Sequence, residues 1–425
     1  MSKPTVTAVI VGAGHRGVGY STYSFSHPDE LKIVGVADPD DVRRSKAQQR
    51  FGIPAENCFR TAEELAERPR FADAAINGTM DRQHVPTTLP LLDAGYDILL
   101  EKPICPSEEG LTELLIAVRR TGRKLMIGHV LRYAPFYVAI KKLLLAGEVG
   151  EIMSIDTTER VSYHHTAAAF VRGKWNKREI NPMLLAKCCH DLDLVAWFKS
   201  GIAPKRVSSF GKLMYFRREK APQGAGTRCL VDCLIEPECR YSARKHYMEQ
   251  KLWGEYAWEC IEHFGEATEE QKLESLRTTN PYGRCVWHCD NDVVDHQSVI
   301  TEFADGSTAV HTMVCGTAKP CRTVHIVGTH GEIEGEMEAG RFVVRHPDAR
   351  AGHEYAEELT DLSLTGDGHG GGDMRLVEDF VSVVRGDEPS ISTTTIAASV
   401  YGHLVAFAAD RAMLSGKGVK IEQIA

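Results

Sequence analysis

Gly12, Gly14 and Gly17 stand in the spacing G-x-G-x-x-G, with His15 and Arg16 between the second glycine and the third. In that spacing the first glycine makes a tight turn, the second lets backbone approach a pyrophosphate, and the third lets the following helix pack on the preceding strand. The loop follows the unbroken apolar run Thr7 to Val11, and the helix after it offers free N–H groups and a positive dipole end to phosphate. Leu31 to Ala37 reads as a second strand that delivers Asp38. A carboxylate there accepts hydrogen bonds from a ribose 2′-hydroxyl and repels a 2′-phosphate, which favours NAD over NADP, although Arg43 and Arg44 stand close enough in sequence to accommodate a phosphate. A second reactive set is Cys229, Cys233 and Cys239, spaced C-x3-C-x5-C, followed by Cys285 and Cys289. Four thiolates, Cys229, Cys233, Cys239 and Cys285, suit the tetrahedral sulfur site that zinc prefers, and a metal would staple a stretch with little hydrophobic patterning. The tight C-x2-C pairs of zinc ribbons are missing, so unpaired thiols, a disulfide or an iron–sulfur cluster remain the other readings.

The elements that must hold these groups follow from pattern. With 425 residues, 43% of them hydrophobic, the chain can bury a large core and is expected to divide into two domains, 1–128 and 129–425. A formal net charge of −8 gives no electrostatic reason to expect nucleic acid or an anionic membrane as partner. Met1 to Thr5 runs straight into the first strand, no apolar stretch approaches 20 residues, and twelve cysteines are few for this length; a soluble cytoplasmic protein is expected. Ala72 to Asn77 forms a strand ending in the loop Gly78-Thr79-Met80-Asp81, a helix runs from about His84 to Ala94, and the strand Tyr96 to Leu100 delivers Glu101-Lys102-Pro103. Thr61 and Ser107 are helix caps, Gly122 closes the second of those helices, and Lys124 to Gly128 completes the first domain. Beyond it come a helix from Phe136 to Ala146, an alternating strand from Glu151 to Arg160, and a run of hairpin-like strands between Val207 and His346, with the Asp305-Gly306 turn among them. That is a largely antiparallel sheet with helices on one face, interrupted by a Cys-rich insertion at about 217–291. Residues 366–373 are glycine-rich and polar, a helix follows from about Met374 to Arg385, and the last helix, about Thr393 to Leu414, has Ser392 available as its cap.

The glycine loop, Glu101-Lys102-Pro103 after its strand, the turn Gly147-Glu148-Val149-Gly150 and a helix bearing His190-Asp191-Leu192-Asp193 together resemble the Gfo/Idh/MocA oxidoreductases over nearly the whole chain. The resemblance implies an α/β fold: an N-terminal Rossmann dinucleotide-binding domain and a C-terminal α+β domain with a large, mostly antiparallel open sheet. It also implies a cis peptide between Lys102 and Pro103, bound NAD(P) used on a hydroxyl of a sugar, cyclitol or related polyol, and dimers or tetramers formed through the open sheet face. Gly370-Gly371-Gly372-Asp373 and the region from Tyr163 to Trp175 extend the likeness to a branch that handles glycosides. There a sugar hydroxyl is oxidised transiently, the neighbouring C–H is acidified, the glycosidic bond is eliminated and the cofactor is restored. A carbohydrate dehydrogenase is the leading expectation, a redox-neutral NAD-dependent glycosidase the rival, and a non-catalytic NAD or sugar sensor the third reading.

Oxidising a secondary alcohol needs a hydride acceptor on one face of the carbon and a base for the hydroxyl proton. Lys102 is the candidate for contact with that hydroxyl; a lysine titrating at about 10.4 must be depressed by its surroundings to act as a base. His190, with an ordinary value of roughly 6.5, is the second candidate. A helix over about Pro182 to Lys199 makes Lys187, His190 and Asp191 neighbours. Many members of the resembled family carry an aspartate four residues before the histidine. Ala186 stands there instead, and Lys187 is the candidate cation to lower the pKa of a bound enol or hydroxyl. Coenzyme contacts are expected from Gly12, Gly14, His15, Arg16, Gly17 and Asp38 in the first unit, and from Thr79, His84, Glu101 and Lys102 at the later strand ends. Substrate contacts are expected from Arg132, Tyr163, Arg172, Trp175 and Asp191, and from one of His164 and His165, which point to opposite sides if the segment is extended; His165 is taken as the inward one. His369 and Asp373 close over the substrate, or Asp373 caps the next helix.

Overall fold

The structure is a computed structural model and describes residues 3–362 and 368–422. Its first sheet is parallel: β1 (Val6–Val11), β2 (Leu31–Ala37), β3 (Cys58–Phe59), β4 (Ala74–Asn77), β5 (Asp97–Leu100) and β6 (Leu125–Ile127), in the order β3-β2-β1-β4-β5-β6. The apolar runs of β1, β4 and β5 are buried on both faces by helices, as a doubly wound sheet requires. Strand order reverses between β1 and β4, which opens a crevice at their carboxyl ends. Helix caps fall where pattern places them: Thr61 accepts from Glu64 N, Ser107 accepts from Gly110 N, and Gly122 closes its helix at φ +64°. The Lys102–Pro103 peptide is cis.

The second sheet holds β7 (Ile152–Ser162), β8 (Pro204–Lys212), β9 (His296–Phe303), β10 (Thr308–Thr317), β11 (Cys321–Gly328), β12 (Glu332–Glu336), β13 (Arg341–Pro347), β14 (Tyr355–Asp361) and β15 (Val419–Lys420). They lie in the order β14-β13-β12-β11-β7-β10-β9-β8-β15, antiparallel throughout except for the β7–β10 pair. Helix Met183–Phe198 lies against this sheet, and helix Ile396–Ser415 packs on it in turn. The two helices approach so closely that a Cβ on Gly402 would sit 2.8 Å from Asp193 N. His403 of the same final helix accepts a hydrogen bond from Ile104 N at 2.8 Å, so this helix also braces the chain just after Lys102.

Three expectations are corrected. Thr395, not Ser392, caps the final helix, because the Ser392 hydroxyl is committed to the Arg132 carbonyl at 2.7 Å. Tyr163 to Arg172 is not extended: Ser162 caps a short helix, Tyr163–His165, which widens into a π-helix over Thr166–Arg172 whose side chains are all buried. The stretch between β8 and β9 contains no strand among the described residues, yet it has its own aromatic core of Phe216, Tyr241, Tyr247, Tyr282 and Trp287. Its rings meet edge to face, as Tyr241 and Trp287 do at 5.5 Å and 89°. Of the glycine-rich stretch 366–373, positions 366 and 367 lie outside the described residues; the remainder opens the helix Gly368–Arg385 with His369, Gly370 and Gly371 at positive φ.

Candidate active site

A cavity of about 660 Å³ lies at the carboxyl edge of the parallel sheet and extends to helix Met183–Phe198. Its first wall is the glycine loop. Gly12 sits at φ +80° with Thr79 N so near that a Cβ would lie 2.8 Å from it, and a Cβ on Gly17 would fall 2.3 Å from Gly12 O. Gly12, Gly14, His15 and Arg16 line the cavity, while Gly17 does not; it serves the loop by close packing. Asp38 also lines it and holds the loop in shape: Oδ2 accepts from Ala13 N at 2.7 Å and Oδ1 from Asp40 N at 2.8 Å. No side chain caps the helix that begins at His15, so its first turn faces the cavity without an internal acceptor. A diphosphate and a ribose diol fit this arrangement of small residues, N–H groups and one carboxylate.

Thr79, Glu101 and Lys102 line the cavity at the ends of β4 and β5. His84 does not reach it. Fully buried, its ring nitrogens lie 2.7 Å from Pro103 O and 3.0 Å from Thr79 O, so it ties the two strand-end loops together rather than touching a ligand. Arg16 is likewise committed, to Asp373 at 3.0 Å, Tyr20 Oη at 2.6 Å and Glu101 at 3.4 Å. Burial works against the Asp373 carboxylate, but the hydrogen bond with His369 and the Arg16 charge hold it well below the usual range. It therefore acts as an ion-pair partner and not as a helix cap.

Lys102 Nζ donates at 3.0 Å to the backbone carbonyl of Ala186, the residue that stands where many members of the resembled family carry an aspartate. His190 is one turn further along the same helix, 4% exposed and lining the cavity. Desolvation, then the charges of Lys102 and its histidine neighbours, push its pKa well below the ordinary value, so the imidazole is neutral at pH 7. Its Nδ1 has no hydrogen-bond partner among the described residues. Lys187 lines the cavity with its ammonium 2.9 Å from Glu159, and Arg322 joins from β11, 2.7 Å from Glu159 and 3.0 Å from Asp191. Burial raises the Asp191 pKa despite Arg322, and Asp191 stays behind the cavity surface.

An aromatic wall closes the far side. Trp175 lines it with Nε1 on Asp81 at 3.1 Å, as do Phe170 and His165. His165 stacks on Trp253 at 4.3 Å, whereas His164 turns away and accepts from Trp253 Nε1 at 3.0 Å. His369 lines the cavity from the glycine-rich stretch. Trp253, Tyr256 and Glu259 enter from the insertion, and Arg43 reaches across to Glu262 at 2.9 Å and Glu259 at 3.4 Å. Arg44 holds the Asp38 carbonyl at 2.6 Å.

Besides Asp191, three expected substrate contacts are elsewhere. Arg132 is buried in a two-point ion pair with Asp193, at 2.7 and 2.6 Å. Tyr163 packs against Tyr241 and His246. Arg172 is buried beneath the wall among carbonyl, phenol and thiol acceptors. Nor do Cys229, Cys233, Cys239 and Cys285 close on one ion: among the described residues, the only three ligand atoms within 4.8 Å of one another belong to Cys188, Asp191 and His311. Arg322, Trp253 and Tyr256 are among the cavity residues that sequence reasoning missed. Arg322 had a signal, since it interrupts the inward row Arg322, Val324, Ile326 of β11.

Comparison with known proteins places these features in a family. The model of an oxidoreductase family with an NAD-binding Rossmann fold matches residues 6–129, and the model of that family's C-terminal alpha/beta domain matches 141–421. A putative oxidoreductase of Bacillus subtilis, YteT, is 24% identical over 373 residues, covering 82% of each chain. The trans-1,2-dihydrobenzene-1,2-diol dehydrogenase of Mus musculus is 32% identical over 205 residues, 48% of this chain and 59% of that protein. Among solved structures, levoglucosan dehydrogenase in complex with NADH and levoglucosan superposes with a TM-score of 0.69 at 16% identity, covering 99% of this chain and all of that one. No helix among the described residues is long and apolar enough to cross a membrane.

Proposed function

The chain belongs to the Gfo/Idh/MocA oxidoreductase family, and on that premise we propose that it binds NAD and oxidises or reduces a secondary hydroxyl of a carbohydrate. The observation that carries the reading is the convergence of Lys102, a neutral His190 and the Asp38-braced glycine loop on one cavity. Backbone N–H groups of the loop and of the helix after it would hold the diphosphate, and Asp38 the adenosine ribose. Both arginines beyond Asp38 are already engaged, Arg43 by Glu259 and Glu262 and Arg44 by the Asp38 carbonyl and Asp41, which supports NAD over NADP. When bound, the nicotinamide supplies the hydride acceptor.

Lys102, steadied by the Ala186 carbonyl, donates to the substrate hydroxyl oxygen and orients it. A ring nitrogen of His190 takes the hydroxyl proton, while Lys187 and Arg322 place positive charge where oxygen gains negative charge. Trp253, Trp175 and His165 would supply aromatic surface for the C–H face of a sugar ring. The division at 128/129, with residues 217–291 as an insertion that builds this wall, belongs to the same reading, as does self-association through the outward face of the second sheet, where Phe210 and Ile300 are exposed.

A redox-neutral glycosidase is the second reading. The ion pairs of Arg43 with Glu259 and Glu262, and of Lys174 with Glu259 at 2.6 Å, strap the insertion across the coenzyme end of the cavity, a geometry suited to a cofactor that is recycled in place. Incubation with aryl glycosides and with free sugars separates the two: NADH accumulation with free sugars supports the dehydrogenase, phenol release without net NADH supports the glycosidase, and binding without turnover on either panel rejects both.

A further inference from the structure

Arg172 is a buried guanidinium with no carboxylate among its hydrogen-bond partners: Arg284 O at 2.7 Å, Tyr241 O at 2.6 Å, Tyr247 Oη at 3.3 Å and Cys229 Sγ at 3.4 Å. A cation kept from water needs an anion. The thiol it touches belongs to a set. Cys229 N donates to Gly283 O at 3.0 Å and Cys285 N to Thr227 O at 2.8 Å, on either side of an Arg228–Arg284 bridge, so Cys229 and Cys285 lie on adjoining segments. Tyr241, whose carbonyl receives the Arg172 proton, gives its own N–H to Cys239 Sγ at 3.3 Å. Cys233 belongs to the same loop, held by Asp232, which accepts from Thr227 N and Arg228 N at 2.9 Å.

All four cysteines are free of disulfides, yet no three of their sulfurs lie within 4.8 Å of one another. One tetrahedral zinc, with bonds of about 2.3 Å, would draw its four sulfurs to about 3.8 Å apart. A cubane spreads them, because each thiolate binds a different corner iron. Such a cluster with four thiolates is an anion, and N–H groups aimed at its sulfurs are what stabilise it. Arg172 and Tyr241 N already point at Cys229 and Cys239 in this way.

We propose that Cys229, Cys233, Cys239 and Cys285 ligate a [4Fe–4S] cluster with Arg172 as its buried counter-ion, in a structural role. Arg172 ends the π-helix that presents Phe170 to the cavity, so the cluster would fasten the aromatic wall from behind. The assignment is independent of the reaction proposed above and involves no electron transfer.

The test is metal and sulfide analysis of the whole protein purified without oxygen and reconstituted with ferrous iron and sulfide. About four irons and four acid-labile sulfides per chain are expected, with a broad visible absorption that dithionite bleaches. Cys229→Ser and Cys239→Ser should each lose at least half of that iron, while Cys289→Ser and Lys102→Ala keep it. The unmodified chain decides the matter even if a variant misfolds. One zinc per chain without sulfide, or no bound metal, overturns the proposal; so does iron that survives Cys285→Ser and vanishes in Cys289→Ser.

Discussion

Lys102 and His190 make different demands on their surroundings, and the chain meets both with backbone and burial. Lys102 has a carbonyl partner and His190 lines the cavity as a neutral ring, as groups that meet a ligand there would. Lys102→Ala and His190→Ala are each expected to lower turnover by at least about 100-fold while NAD affinity, measured by calorimetry, changes little; normal turnover in either removes that residue from the mechanism. Asp38→Ala removes the acceptor for Ala13 N and Asp40 N along with the proposed ribose contact, so NAD affinity should fall at least about tenfold, which the same titration reads. At this scale sequence was a good guide where local spacing sets the backbone, as at Gly12 and Gly17. It misled where a long side chain had a choice of partners. Arg132 and Arg172 look like sugar-binding arginines until Asp193 and Tyr241 claim them, and nothing in a linear string of residues records that competition.

The parallel sheet was legible because its strands are unbroken apolar runs, and the hairpins of the second sheet because their alternation is regular. Tyr163 to Arg172 was not: it lies at the end of the long strand β7, and only the Ser162 cap and the buried alanine run turn it into a widened helix. β14 was missed because its charged, exposed sequence has no inward apolar row; it is a sheet edge, and its charges discourage further pairing. The insertion was legible as a foreign stretch but not as a wall of the cavity. Its strap gives a prediction that belongs to the element: Glu259→Gln with Glu262→Gln removes the partners of Arg43 and Lys174. NAD dissociation, followed by stopped-flow fluorescence, should then quicken several-fold with the dehydrogenase chemistry intact; an unchanged rate argues against the strap as a retaining device.

The molecule as a whole buries several histidines in neutral form. Desolvation drives His190 and His165 well below the ordinary value and His246 and His403 to about 3. In the unfolded chain these rings take up protons near pH 6.5, and in the native state they do not. Stability is therefore complete above about pH 6.5 and lost below it, by about 1.4 kcal/mol per pH unit for each such ring until its native pKa is reached. Thermal melts between pH 7.5 and 5 should show a steep drop on the acid side, and a flat profile would mean that these rings are solvated. The final helix adds a consequence in time. His403 and Gly402 brace both the segment after Lys102 and the helix of His190, and Arg16 of the glycine loop takes its carboxylate partner from Asp373. On the ribosome, neither the nucleotide pocket nor the proton-transfer groups can be complete until these late segments have emerged, so synthesis must pass residue 403 before catalysis can begin.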